Sequence, residues 1–184
     1  MSVAPAEVVD FWLAAGPERW FAKSDAFDLE IRHRFEALHH AAARGEHNDW
    51  ADSPSGALAL LLSLDQFPRN LFRNSAHAYA TDGMALAIAR QAIAAGHDLQ
   101  VALTLQAFMY LPFEHAEDMR AQDDSVALTE RLKDRGGEAS TYEWAVKHRA
   151  IIIRFGRFPH RNVVLGRVTT REEQEFLDAG GFSG

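Results

Sequence analysis

Helix caps and helix stops recur along this chain, and between them apolar residues return at intervals of three and four. No other feature of the sequence constrains the fold as tightly. Alternating β-branched runs bounded by hairpin turns are missing. The sequence therefore predicts an all-α fold of about seven to nine helices. A first helix covers about residues 6–15, carries Val8, Val9, Phe11, Trp12 and Leu13 on a broad apolar face, and ends at Gly16-Pro17. Ser24 caps a long helix reaching about Arg44, with Phe27, Ile31, Phe35 and Leu38 in one stripe and Gly45 beyond its end. Ser53 and Pro54 open a third helix, which Pro68 is expected to interrupt. Thr81-Asp82 starts the next, and Gly96 stops it. Residues 99–110 read as a buried helix, with Pro112 as a kink or as a fresh start for a helix that runs toward Arg135 and closes at Gly136-Gly137. Ser140 with Glu143, and Thr170 with Glu173, have the spacing of capping boxes for two last helices.

Short loops between helices imply antiparallel pairs, stacked as an array or closed as an irregular bundle, and no repeat of about 34 residues stands out. The 184 residues suit a single helical domain over 1–184. A hydrophobic share of 47% with 24% charged residues argues against disorder and against a coiled coil. The absence of cysteine excludes disulfides, zinc ribbons and thiol nucleophiles, and it fits a reducing compartment. Residues 1–5 show no basic stretch followed by an apolar leader, and the apolar runs 57–64 and 101–113 fall short of the about 20 residues that span a bilayer. A cytoplasmic protein with no membrane partner is the expectation. A net charge of −7 opposes a phosphate backbone, so no nucleic-acid partner is expected either. Trp12, Trp50 and Trp144 suit either the core or the seam of a homodimer.

Unusual residues cluster in three segments. The first is Leu64-Asp65-Gln66-Phe67-Pro68-Arg69-Asn70 with Arg73, and the second is Tyr110-Leu111-Pro112-Phe113-Glu114-His115-Ala116-Glu117-Asp118. The third is His148-Arg149 followed by Arg154-Phe155-Gly156-Arg157-Phe158-Pro159-His160-Arg161-Asn162. Each sets an aromatic-proline corner beside Arg, Asn or a carboxylate. With the Val9-Asp10-Phe11-Trp12 opening, the Trp20-Phe21 pair and the final Phe176-Leu177, these motifs closely resemble the bacterial domain-of-unknown-function family 924 over nearly the whole chain. The resemblance implies a helical, tetratricopeptide-like architecture and transfers no reaction. Ala116, where a Ser is expected, and Asp123 depart from the family pattern without removing a candidate group.

Glu114, Glu117 and Asp118 stand at i, i+3 and i+4, which on one helix would gather three carboxylates on one side. Buried carboxylates need counter-charges, and Arg69, Arg154, Arg157 and Arg161 are the natural donors, since guanidinium binds carboxylate bidentately. The basic block 144–171 and the acidic residues of 114–130 should likewise neutralise each other. Contact between the second and third segments follows. The bland outcome is an architectural ion-pair network. The sharper one is a pocket for a small anionic molecule or peptide, built from Asp65, Arg69, Asn70, Glu114, His115, Asp118, Arg157, His160, Arg161 and Asn162.

A metal comes last. Glu114, His115, Asp118, His148 and His160 are chemically apt, but His-Glu-x-x-His spacing is missing and the arginines would repel a cation. No cofactor motif is present: the Gly156 turn lacks the glycines and the Lys-Ser/Thr ending of a phosphate loop. Asp65 by default caps the turn that follows it, His148 suits an apolar helix face as a core residue, and His39, His40 and His47 suit the solvated end of their helix. Three functions compete. The first is a binding or interaction module. The second is a small hydrolase-like or lyase-like enzyme with Glu114, His115 or His160 in proton transfer and Arg157 or Arg161 stabilising negative charge. In the third, the motifs are architecture alone.

Overall fold

The computed structural model describes residues 3–182. Met1 and Ser2, part of the stretch inspected for a leader, lie outside the described residues. Among the described residues there is no strand, and no helix is long and apolar enough to cross a membrane. The helices are α1 (Pro5–Ala15), α2 (Pro17–Trp20), α3 (Asp25–Ala43), α4 (Pro54–Leu61), α5 (Phe67–Leu71), α6 (Asp82–Ala94), α7 (Ala107–Glu114), α8 (Met119–Asp134), α9 (Ala139–Phe155) and α10 (Arg171–Asp178).

The caps read from the sequence form largely as expected. Ser24 accepts from the Phe27 amide and Ser53 from the Gly56 amide, while Thr170 and Glu173 make a reciprocal capping box. Gly156 ends α9 in the left-handed region at φ 69°. Ser140 and Glu143 do not form a box. The turn through Gly137, whose amide bonds Leu132 O at 3.0 Å, lets α9 begin earlier, behind Glu138.

Helix α4 is the centre of the fold. Every residue from Gly56 to Leu61 is buried, so it can only be surrounded, and α1, α6 and α7 pack on it. Gly56 is required by this closeness, since a Cβ there would stand 2.1 Å from Trp50 O. Trp12 anchors an aromatic cluster with Phe27, Phe67 and Phe108, at centroid distances of 5.9, 5.7 and 5.5 Å. Of the other tryptophans, Trp50 is half-buried and Trp144 exposed. Helices α8 and α9 lie side by side across a tight turn, and a smaller cluster of Ile151, Ile152 and Phe158 packs beneath Phe155 and Phe176.

Pro68 does not interrupt the third helix. A π-turn over Leu62–Gln66 joins α4 to α5, and the Phe67 amide reaches back to Leu62 O. Pro68 has no N–H and the register returns here from five residues to four, so two carbonyls of this stretch have no intrahelical donor. Side chains from elsewhere replace it: His39 Nδ1 donates to Ser63 O at 2.9 Å, and the Thr81 hydroxyl donates to Leu64 O at 2.5 Å. His39 is therefore buried rather than solvated, and Thr81 is spent on this bond instead of capping α6.

Two further expectations change. Residues 99–110 are not one helix: 3-10 turns at Asp98–Gln100 and Leu103–Leu105 precede α7, held by Tyr110 Oη on Asp98 at 2.7 Å and by Gln106 on Val101 O at 3.3 Å. Pro112 lies inside α7, and the helix stops at His115 instead of continuing. The buried Gln122 amide donates to the Glu114 and Ala116 carbonyls at 2.7 and 2.8 Å, satisfying the end of α7. Asp118 then caps α8 through the Ala121 amide at 2.8 Å. Glu114, Glu117 and Asp118 consequently share no helix face.

Thr81→Val keeps the shape of the side chain but strands the Leu64 carbonyl. It is expected to destabilise the fold by about 1–3 kcal/mol in urea unfolding, whereas Thr81→Ser should fall well below that.

Candidate functional site

The π-turn carries Asp65 into the interior, where its exposure is 0%. Its Oδ1 accepts from His115 Nδ1 at 2.7 Å, and its Oδ2 accepts from Gln66 Nε2 at 2.5 Å. Asp65 thus acts across the interior rather than as a local cap. Arg69, one turn on, places Nη2 3.7 Å from Asp65 Oδ1. Arg69 also grips Asp82, at the start of α6, through two bonds of 2.9 and 3.0 Å, and donates to Ala78 O. The same Asp82 carboxylate is reached by Arg161 Nη1 at 3.4 Å. Two guanidinium groups therefore share one carboxylate, and Arg69 holds the better geometry.

Arg161 lies between the rings of Tyr79 and Phe158, 4.5 Å from each centroid. It is 6% exposed, and among the described residues its Nε has no hydrogen-bond partner. Burial and the neighbouring Arg69 both lower its pKa, while burial of Arg69 is outweighed by Asp65 and Asp82, which raise it. Burial pushes Asp65 upward, but His115, Arg69 and Gln66 prevail and hold it below the usual carboxylate range.

Behind this charged chain stands a neutral layer. Burial, then the charge of Asp65, raises Glu114 to about 8. Burial lowers His148 to about 4, and burial with Arg161 lowers His160 to about 3. His148 Nδ1 is 3.1 Å from Glu114 Oε1 but donates to Trp144 O at 2.9 Å, so near neutral pH this contact joins two uncharged groups.

A cleft of about 330 Å³ opens beside the chain, lined by Tyr79, Asp82, Gly83, His115, Glu117 and Arg161 with small apolar walls from Ala76, Ala80 and Ala116. The first turn of α6 forms one side, and among the described residues no side chain caps its amides.

The structure brings Asp65, Arg69, His115 and Arg161 together, with Glu114 and His160 behind them. Asn70, Asp118, Arg157 and Asn162 are engaged elsewhere. Asn70 donates to Asp28 of α3 at 2.8 Å, beside Arg73, and Asp118 is a helix cap. Arg157 and Asn162 both hold Glu173, at 2.6 and 3.2 Å, and so dock α10. Arg154 likewise pairs with Glu172 at 2.9 Å. Glu117 takes Arg167 through 2.6 and 3.0 Å bonds and accepts the Phe158 amide at 2.8 Å, a second contact between the second and third segments beside that of His148 with Glu114. Sequence reasoning missed Tyr79 and the role of Asp82. The only local signal at Asp82, an acid opening a helix, is fully explained by the dipole.

The family profile described as "Bacterial protein of unknown function (DUF924)" matches residues 8–181. The chain belongs to this family. A solved structure of a protein of unknown function from Agrobacterium tumefaciens is similar at 48% identity and a TM-score of 0.91, covering 96% of this chain and 97% of that one. No protein of curated function matches. The DUF924 membership thus accounts for the fold and leaves the cleft to be read from its chemistry.

The neutral layer makes stability in this DUF924 protein depend on pH in two directions. Glu114 goes from 4.5 to about 8 on folding, so the folded state keeps a proton that the unfolded chain has lost, and stability falls as pH rises through that window. His148 and His160 go from 6.5 to about 4 and about 3, so their contribution is complete above 6.5 and is lost as pH falls. The melting temperature should peak near pH 6.5. Glu114→Gln should remove the alkaline decline, a gain over wild type of about 2 kcal/mol between pH 6.5 and 8. An unchanged alkaline limb in the variant would show that another group causes it.

Proposed function

We propose that this chain binds a small anionic molecule in the cleft between the first turn of α6 and the Phe158–Arg161 corner. The observation that carries this reading is Arg161, a guanidinium that is almost wholly buried, lines the cleft, shares its one carboxylate with Arg69 and leaves Nε unpaired. Among the described residues its Nη2 also makes no hydrogen bond and, unlike Nε, stays accessible, so an incoming anion can supply an acceptor there. The uncapped amides of α6 add a favourable field on the same side.

A carboxylate suits the cleft better than a phosphate dianion. Arg69 is committed bidentately to Asp82, so one under-paired guanidinium is left, and Glu117 contributes a negative edge. The volume stands at the small end of ligand pockets, and the alanine walls suit a short carbon chain.

Succinate is the probe of choice. Calorimetric titration should detect binding to the wild type, weakened at least about tenfold in Arg161→Gln, with Arg161→Lys between them. Circular dichroism establishes that each variant is folded. Equal affinity in wild type and folded Arg161→Gln would refute the reading.

A further inference from the structure

The proposed ligand site has a second component that binding alone does not require. His115 caps α7 and lines the cleft, with Nδ1 held by a fully buried carboxylate, Asp65 Oδ1, at 2.7 Å. The partner of Nδ1 is a carboxylate acceptor, so Nδ1 carries a proton, and in the neutral ring the opposite nitrogen, Nε2, presents a lone pair. Among the described residues Nε2 makes no hydrogen bond. A carboxylate that orients an imidazole in this way also stabilises the imidazolium formed when Nε2 takes a proton. Arg69 and Gln66 hold Asp65 in turn, so the orienting group is itself fixed.

The same cleft contains the other parts that acyl transfer to water requires. Arg161 anchors an anionic handle, and the uncapped first turn of α6, open at Gly83, offers amides to a developing oxyanion. A Cβ on Gly83 would meet nothing within 4 Å, so the backbone there faces open space.

We infer that His115 is the general base of a hydrolase acting on esters of small dicarboxylic acids, an inference that rests on the anion-binding reading above. The free carboxylate of the substrate pairs with Arg161. His115 Nε2 takes a proton from water as the water oxygen bonds to the ester carbonyl carbon, and the carbonyl electron pair moves to oxygen. Collapse of that oxyanion restores the carbonyl and breaks the bond to the alkoxy oxygen, which receives the proton from His115. Ester and water become acid and alcohol, and His115 is returned neutral. Asp65 is a positioning residue throughout.

The test uses the full chain with mono(4-nitrophenyl) succinate, and with 4-nitrophenyl acetate as the ester that lacks the anionic handle. Wild type is expected to release 4-nitrophenolate from the succinyl ester with saturation, with competition by succinate and a clear preference over the acetate. His115→Gln, at a half-buried position, is expected to lose about 100-fold or more in kcat while its succinate affinity stays within about threefold of wild type.

Treating the unaltered protein with diethyl pyrocarbonate gives a check that does not depend on a variant folding. Mass-spectrometric mapping should find His115 carbethoxylated in step with loss of ester release, and succinate should protect both. Succinate binding without ester release above buffer overturns the hydrolase and leaves the binding site standing, as does full activity in His115→Gln or in His115-modified protein. Absence of succinate binding overturns both.

Discussion

A carboxylate sealed from solvent at the middle of the molecule sets the terms for everything around it. Asp65 has no exposure, and an isolated charge there would be untenable. Its compensation comes from three directions: Gln66 beside it, Arg69 a turn later, and His115 from the end of α7. Removing one member of such a buried set typically costs about 3–5 kcal/mol, because the remaining charge is left uncompensated. Once Arg69 is fixed, Asp82 and the start of α6 are fixed with it, and Arg161 is drawn to the same carboxylate. The cleft is the consequence of that sequence of demands.

The backbone that carries Asp65 is also unusual. A regular helix could not pass through Pro68 without stranding carbonyls, and the π-turn does not remove the difficulty but moves it to Ser63 and Leu64. Their rescue by His39 and Thr81 ties α3 and the approach to α6 onto the central helix at the level of Asp65. Packing and polar satisfaction thus coincide at one height of the fold. Among the described residues the buried Nε of Arg161 and Nδ1 of His160 are left without partners.

Away from this centre the ionic contacts have a simpler task. Arg157 and Asn162 on Glu173 fasten α10 to the turn after α9, and Arg167 on Glu117 fastens the same segment to the α7–α8 corner. Arg149 meets Asp123 at 2.6 Å, a contact between the basic and acidic stretches of the sequence. Other members of the basic stretch turn instead to the glutamates of α10, as Arg154 and Arg171 do with Glu172 and Glu175. These exposed pairs contribute little individually and serve to orient the last helix.

Helical character, the caps at Ser24, Ser53 and Thr170, and the core stripe of Phe27, Ile31 and Phe35 were legible in the sequence, because each depends on residues within a turn or two. The cluster of Asp65, Arg69, His115 and Arg161 was legible as chemistry, since buried carboxylates demand guanidinium partners whatever the topology. Which partners they take was not. Asn70 is one residue from Arg69 and Arg157 four from Arg161, yet the rotation of α5 sends Asn70 to Asp28 and the turn after α9 directs Arg157 toward Glu173. Tyr79 and Asp82 look like ordinary loop and cap residues until α6 is packed against α4. Composition and periodicity decided that this chain would be helical with a charged interior. The tertiary structure alone decided where α7 ends, how the helix passes Pro68 and which guanidinium stays under-paired, because those outcomes depend on distances between segments far apart in the chain.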